Sequence, residues 1–294
     1  MPSPRSGRRL HLARAVVASA CLTHGLAAQR SALDSLAVRL AGMSAVSGYE
    51  QAVGDSLAAW LNGSTRDAAG NVILVLGQGA PRRLLACAID EVGYAVGGIT
   101  PEGYLTLRRV GRAPTPLFDQ QLEGERVTVF GVHGPVPGVV AVRSIHLTRD
   151  RTTPPDPPFT VDDAFVDIGA RDRRDVGALG VGVLAPVTRT KQPILYGTGW
   201  LAAPVAGRRS VCAAVLVAAR SATRIKGTVV VALTVQSVYG QRAGLRAVET
   251  LRGPFTEVNE PTLPVRFADT AVETVSLASV ATLERSLESW LRGS

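Results

Sequence analysis

Leu84-Leu85-Ala86-Cys87-Ala88-Ile89-Asp90-Glu91-Val92-Gly93 is the stretch on which the reading of this chain turns. Six consecutive apolar residues leave no polar face, which suits a central strand covered on both sides in an α/β layer. Two acids and a glycine then end the run, so charge is delivered where the strand stops. Upstream, Asn71 to Leu76 reads as a strand punctuated by Gly70 and Gly77-Gln78-Gly79, and downstream Tyr94 to Ile99 reads as another. Further back, Leu33, Leu36, Leu40 and Met43 recur at helical spacing. Ser47-Gly48 breaks that helix, and Tyr49 to Leu61 predicts a second, closed by Asn62-Gly63.

From about Val110 the texture changes. Short runs such as Arg126 to Phe130 and Gly138 to Val142 alternate with Gly-, Pro- and Asp-rich turns. Helical periodicity is confined to a short piece near Asp172 to Leu179. Thr152-Thr153-Pro154-Pro155-Asp156-Pro157-Pro158 is a stiff, loop-forming tract. This predicts a small all-β module ending near Gln192-Pro193. Helix and strand then alternate again: a helix over Ser210 to Thr223, an apolar strand over Thr228 to Val235, and a last strand over Leu263 to Phe267. Ser276 is placed to cap a terminal helix carrying Val280, Leu283, Leu287 and Leu291 on one face. The expected architecture is an α/β domain, residues 29–109 and 193–294, interrupted by an all-β insertion over 110–192.

The 294 residues are 46% hydrophobic and carry a formal charge of +8, but residues 1–28 hold four arginines and no acid. Without them the charge is +4, and the remaining arginines are scattered. That argues against nucleic acid, which needs clustered cations. The same 28 residues run from a basic stretch (Pro4 to Arg9) through an alanine-rich apolar segment to Gly25-Leu26-Ala27-Ala28, the order of an export signal. The expected location is therefore periplasmic or secreted, with a lipoprotein through Cys21 as the alternative. No run reaches the length of a membrane helix. Cys87 and Cys212 remain after processing. Sequence leaves open whether they pair or act as small buried hydrophobes. Only His133 and His146 survive processing, too few for a histidine-rich metal site.

In order along the chain stand Val46-Ser47-Gly48-Tyr49-Glu50, Asp67-Ala68-Ala69-Gly70-Asn71, Asp90-Glu91-Val92-Gly93, Phe165-Val166-Asp167-Ile168-Gly169-Ala170, Thr234-Val235-Gln236 and Pro264-Val265-Arg266-Phe267. Together they resemble the VSGYE, D-x-x-GN, HMDEIG, FIDIGA, TVQEE and PTRYIH segments of the glutamyl or deblocking metallo-aminopeptidases that build tetrahedral dodecamers. The resemblance covers residues 44 to 294 and implies an aminopeptidase-like mixed sheet with the inserted β domain. It also implies two divalent metals such as zinc or cobalt, which polarise the scissile carbonyl and acidify a bridging water beside a general-base carboxylate.

The residues that would do this are largely replaced. The ligand His of HMDEIG falls on Ala88 and the bridging Asp on Gly207, whose neighbour is Arg208, followed by a matching Arg209. The general-base Glu falls on Ser237, the ligand Glu beside it on Val238, and the final His on Asp269. The chain is also shortened near 245–262, where another ligand Asp belongs. Of the usual set Asp90 is retained, a residue that supports the His in the family. Alanine, glycine and valine side chains offer no lone pair, so no metal and no cofactor is expected.

Arg208 and Arg209 are the expected replacement charge, pairing with Asp90 or Asp269 where two acids would otherwise repel. Glu91 and Glu273 are expected to cap or pair at a surface. The functional expectation is a non-catalytic, exported homologue that binds a peptide or protein partner, with an active paralogue as one candidate partner and an oligomer as one assembly. The alternative is a hydrolase of that family with a rebuilt site, metal-dependent through Asp90 and Asp269 or metal-free through Ser237.

Overall fold

A computed structural model describes residues 31–141 and 158–293. The segment expected to be an export signal, Cys21, His146 and Thr152 to Pro157 lie outside the described residues.

Helix α1 (Ala32–Ala41) starts at Ser31, whose hydroxyl accepts the Asp34 N–H at 3.0 Å, and buries Leu33, Ala37 and Leu40. Helix α2 (Gln51–Trp60) buries Val53 and Leu57. Strands β1 (Thr65–Arg66), β2 (Val72–Gly77) and β3 (Arg82–Ala88) follow. Later in the chain come helix α4 (Ala206–Ser221), strand β12 (Thr228–Thr234), helix α5 (Ala243–Arg252), strand β13 (Glu257–Asn259) and helix α6 (Leu277–Arg292). These elements build one five-stranded sheet in the order β1-β2-β12-β3-β13. It is mixed: β2 runs antiparallel to β12, while β3 lies parallel to both β12 and β13.

Side-chain alternation divides the two central strands between two cores. Leu85 and Cys87 with Val229, Val231 and Leu233 face α1, α2, α4 and α6, whereas Leu84 and Ala86 with Val230 and Ala232 face Leu245 and Val248 of α5. This is why the Leu84–Ile89 run has no polar position. Each fully buried aliphatic side chain here contributes about 1.5–3 kcal/mol. Cys87 of β3 and Cys212 of α4 form a disulfide, their Cα atoms 5.6 Å apart, which binds the sheet to one of its covering helices. The sequence had left this pairing open.

Between these halves lies a closed barrel of β4 (Gly93–Ile99), β5 (Leu105–Val110), β6 (Arg126–Gly131), β7 (Gly134–Val140), β8 (Phe165–Asp167) and β9 (Pro186–Arg189), in the order β4-β5-β8-β7-β6-β9. Val96, Leu105, Leu107, Val127, Val129, Val166 and Val187 fill its interior. Helix α3 (Arg173–Ala178) falls where the sequence placed a short helical piece, and the Asp172 carboxylate caps it.

Two sequence expectations need correction. The insertion begins at Gly93 rather than 110, because β4 and β5 close the barrel; an apolar strand pattern says nothing about which sheet it joins. Leu263 to Phe267 supplies only β14 (Val265–Arg266), and not to the main sheet. It pairs with β15 (Thr274–Ser276) in a second sheet ordered β10-β11-β15-β14, where β10 is Ile194–Tyr196 and β11 is Trp200–Ala202. The main-sheet edge beside β3 is taken instead by β13. Ser276 stands at the N-cap of α6, but its side chain makes no capping bond.

Candidate functional site

The parallel strands β3 and β12 end side by side at Ala88 and Thr234, and α4 begins just beyond them. Crevices outside the carboxyl ends of such strands are where α/β sheets bind ligands. Here a cleft of about 450 Å³ opens, with Ala88, Gly207, Arg208, Ser237, Arg242 and Asp269 among its lining residues. Five of these came from sequence as site positions; the fold brings them together.

Asp90 lies beneath the cleft rather than in it. Fully buried, it accepts the Ser237 N–H at 2.7 Å and the Val238 N–H at 3.2 Å on Oδ2, while its Oδ1 has no partner among the described residues. It therefore acts as a latch on the turn after β12. The same turn is held by Glu50, whose carboxylate accepts the Gln236 N–H at 2.9 Å. Burial pushes the Glu50 carboxyl above its ordinary value, and Asp90 adds to the effect. Val238 points away from the cleft and packs on Gly111, where φ is +94° and a Cβ would overlap it.

Gly207 sits at the start of α4 and donates its N–H to Glu273 Oε1 at 2.8 Å. Glu273 is buried, and its Oε2 accepts the Asp269 N–H at 3.0 Å. A carboxylate at a helix N-terminus complements the orphan N–H groups and the dipole. A Cβ on Gly207 would overlap Val265 Cγ1 and lie 3.2 Å from Glu273 Oε1, so the space that a side chain here would need is filled. Asp269 adopts a left-handed backbone, φ 61°, and its carbonyl accepts from Gln121 of the barrel at 3.1 Å. Its exposed carboxylate has no partner among the described residues.

Neither arginine pairs with Asp90 or Asp269 through a carboxylate, which corrects the sequence expectation. Arg208 Nη1 donates to the main-chain carbonyl of Asp90 at 2.8 Å and to Ser237 Oγ at 3.1 Å. Arg209 turns the other way, into the interior, where it donates to the Ile89 carbonyl and pairs with Glu91 at 3.3 Å. Lys191, just past the barrel, binds the other Glu91 oxygen, and the Ala45 N–H donates to that carboxylate at 2.8 Å. Glu91 and Glu273 are thus buried anchors, not surface caps. Burial acts to raise the Glu91 carboxyl, but Lys191 and Arg209 outweigh it and hold it below its ordinary value. Burial, with repulsion from the Arg209 guanidinium adding to it, pulls the Lys191 ammonium down to about 8 against the opposing pull of Glu91.

Among the described residues no histidine or lysine reaches the Ser237 hydroxyl to activate it as a nucleophile; it accepts from the Arg208 guanidinium instead. For a pair of divalent cations the donor set does not fit. Ala88, Gly207 and Val238 bring no side-chain donor, and no group of three or more His, Cys, Asp or Glu converges among the described residues. Sequence reasoning did not foresee that Val265 and Glu273 pack against Gly207, nor the Arg242–Glu260 ion pair at the cleft's rim. Only the rarity of lysine outside residues 1–28, Lys191 and Lys226, marked Lys191 as unusual.

A family model described as M42 glutamyl aminopeptidase matches residues 70–252. Among curated relatives, "Putative aminopeptidase SgcX" of Escherichia coli (strain K12) is 33% identical over 181 residues, 58% of this chain and 46% of the relative. Lysyl aminopeptidase of Pyrococcus furiosus is 29% identical over 125 residues, 41% of this chain and 35% of that one. The chain thus matches less than half the length of these relatives. The fold superposes on the Pyrococcus horikoshii TET1 peptidase, a protein that can assemble into a tetrahedron or a large octahedral shell. The TM-score is 0.74 at 20% identity, covering 88% of this chain and 99% of that one. An aminopeptidase from Desulfurococcus kamchatkensis gives a TM-score of 0.73 at 16% identity, over 89% and 95% of the two chains.

Proposed function

The chain belongs to the M42 glutamyl aminopeptidase family, and from that premise we propose that it is a non-catalytic member that binds a peptide or protein partner in its cleft. The observation that carries this reading is the floor of that cleft. Ala88 and Gly207 present no donor, and Val265 occupies the space over Gly207. Losing one outer partner of a metal costs such sites about 10- to 100-fold; here the direct ligands themselves are replaced.

Export is part of the proposal. The Cys87–Cys212 disulfide favours an oxidising compartment, in keeping with the basic-apolar-small order of residues 1–28. Assembly with copies of itself or with an active paralogue belongs to it as well, by analogy with the assembling Pyrococcus horikoshii TET1 peptidase.

The test is elemental analysis of the purified full chain beside an aminopeptidase assay with zinc, cobalt or manganese added. The expected result is no stoichiometric metal and no turnover of substrates bearing a free N-terminal residue. Bound metal together with turnover would establish the alternative, an active aminopeptidase rebuilt on Asp90 and Asp269.

A further inference from the structure

We propose that the cleft recognises a carboxylate, held by the guanidinium of Arg208; this rests on the reading of the cleft as a binding site and names the chemistry it takes. Arg208 is exposed in a cleft of about 450 Å³, within the range of pockets that enclose small ligands. Its orientation is fixed from behind, because Nη1 is tied at 2.8 Å to the Asp90 carbonyl and at 3.1 Å to Ser237 Oγ. Both anchors are themselves fixed, since the buried Asp90 carboxylate holds the Ser237 amide.

Among the described residues Nε and Nη2 have no partner, and no carboxylate pairs with this arginine. A guanidinium held in place with donors to spare loses little side-chain freedom on binding, and its planar fork matches a carboxylate in two parallel hydrogen bonds. Arg208 also stands in the first turn of α4, where the helix dipole adds positive potential.

The other charges in the cleft narrow the ligand further. Arg242 is already paired with Glu260, and Asp269 and Glu273 also line the cavity. Those acids oppose a dianion such as phosphate more than a singly charged carboxylate. A carboxylate in a peptide has two sources, the C-terminus and an acidic side chain.

The probes are three N-acetylated tripeptides: an all-alanine peptide with a free C-terminus, its C-terminal amide, and an amidated peptide with glutamate in the middle. Each is titrated calorimetrically into the full chain, its R208Q and R208K variants, and S237A, with inorganic phosphate as a separate arm. The expected result is at least tenfold tighter binding of a carboxylate-bearing peptide than of the alanine amide. R208Q should abolish that preference, and R208K and S237A should weaken it. A C-terminal source favours the free-acid peptide; a side-chain source favours the glutamate peptide.

Equal binding of acid and amide by the native chain overturns the carboxylate assignment while leaving a peptide-binding cleft intact. Phosphate binding more tightly than either carboxylate peptide also overturns it. No binding of any peptide removes the binding reading and this one together. Unchanged melting of R208Q, whose side chain is exposed, separates lost recognition from lost folding.

Discussion

Arg208 and Arg209 are neighbours in sequence and end in opposite settings. About 100° of helical rotation separates them, enough to send one into the open cleft and the other into the interior. Arg209 meets Glu91, Lys191 and the Met43 and Ile89 carbonyls, a knot joining the chain before α2, the end of β3, the exit of the barrel and the start of α4. Arg208 meets a carbonyl and a hydroxyl and keeps donors free. The knot is architecture, two buried cations gathered on the single Glu91 carboxylate. The cleft brings no side-chain donor at Ala88 or Gly207, and its Arg208 has no carboxylate partner among the described residues.

Breaking the knot should have the largest effect. Arg209→Ala leaves a buried carboxylate with one partner fewer, and about 3–5 kcal/mol of stability should disappear in urea denaturation. The pH dependence follows from the same group. The Glu91 carboxyl is held below its ordinary 4.5, so its contribution is complete above that value and is lost as pH falls through the depressed one. Acid unfolding of Arg209→Ala should therefore begin at higher pH than that of the native chain; coincident acid transitions would mean Glu91 draws nothing from Arg209.

Replacing Cys87 and Cys212 together by alanine should cost about 2–4 kcal/mol, read from the shift in the denaturation midpoint. Gly207→Asp, which reinstates a carboxylate at the family's bridging position, should cost about 1–3 kcal/mol through overlap with Val265 and bring no zinc into the purified protein. Zinc bound by that variant alone would show the cleft still shaped for metal. Arg208→Ala, at the exposed end of the comparison, should change stability by less than about 1 kcal/mol in the same denaturation experiment.

Much of the fold was legible because it rests on local pattern. Leu84 to Ile89 and Thr228 to Val235 read as inner strands from their apolar runs, and β12 indeed buries every residue. The barrel boundary was not legible, because β4 follows β3 after four residues and looks like one more strand of the same sheet. Strands β13 and β14 are three and two residues long, too short to show a period. At the site, the absent donors at Ala88, Gly207 and Val238 could be read directly from residue type. What replaced them could not. Glu91 finds Lys191 and Arg209 across 100 and 118 residues, and Arg208 finds a main-chain carbonyl, a partner that no residue pattern advertises.

The disulfide has one consequence of a mechanical kind. Cys87 precedes the barrel and Cys212 follows it, so the bond closes a ring 125 residues around that contains all six barrel strands. A pull applied at the two ends of the chain passes through sulfur from β3 to α4 and bypasses the barrel altogether. A protease cut anywhere between Gly93 and Arg189 likewise opens the ring without parting the molecule. The two pieces stay joined until a reductant arrives, so under tension or nicking the barrel can fail while the walls of the cleft remain tied.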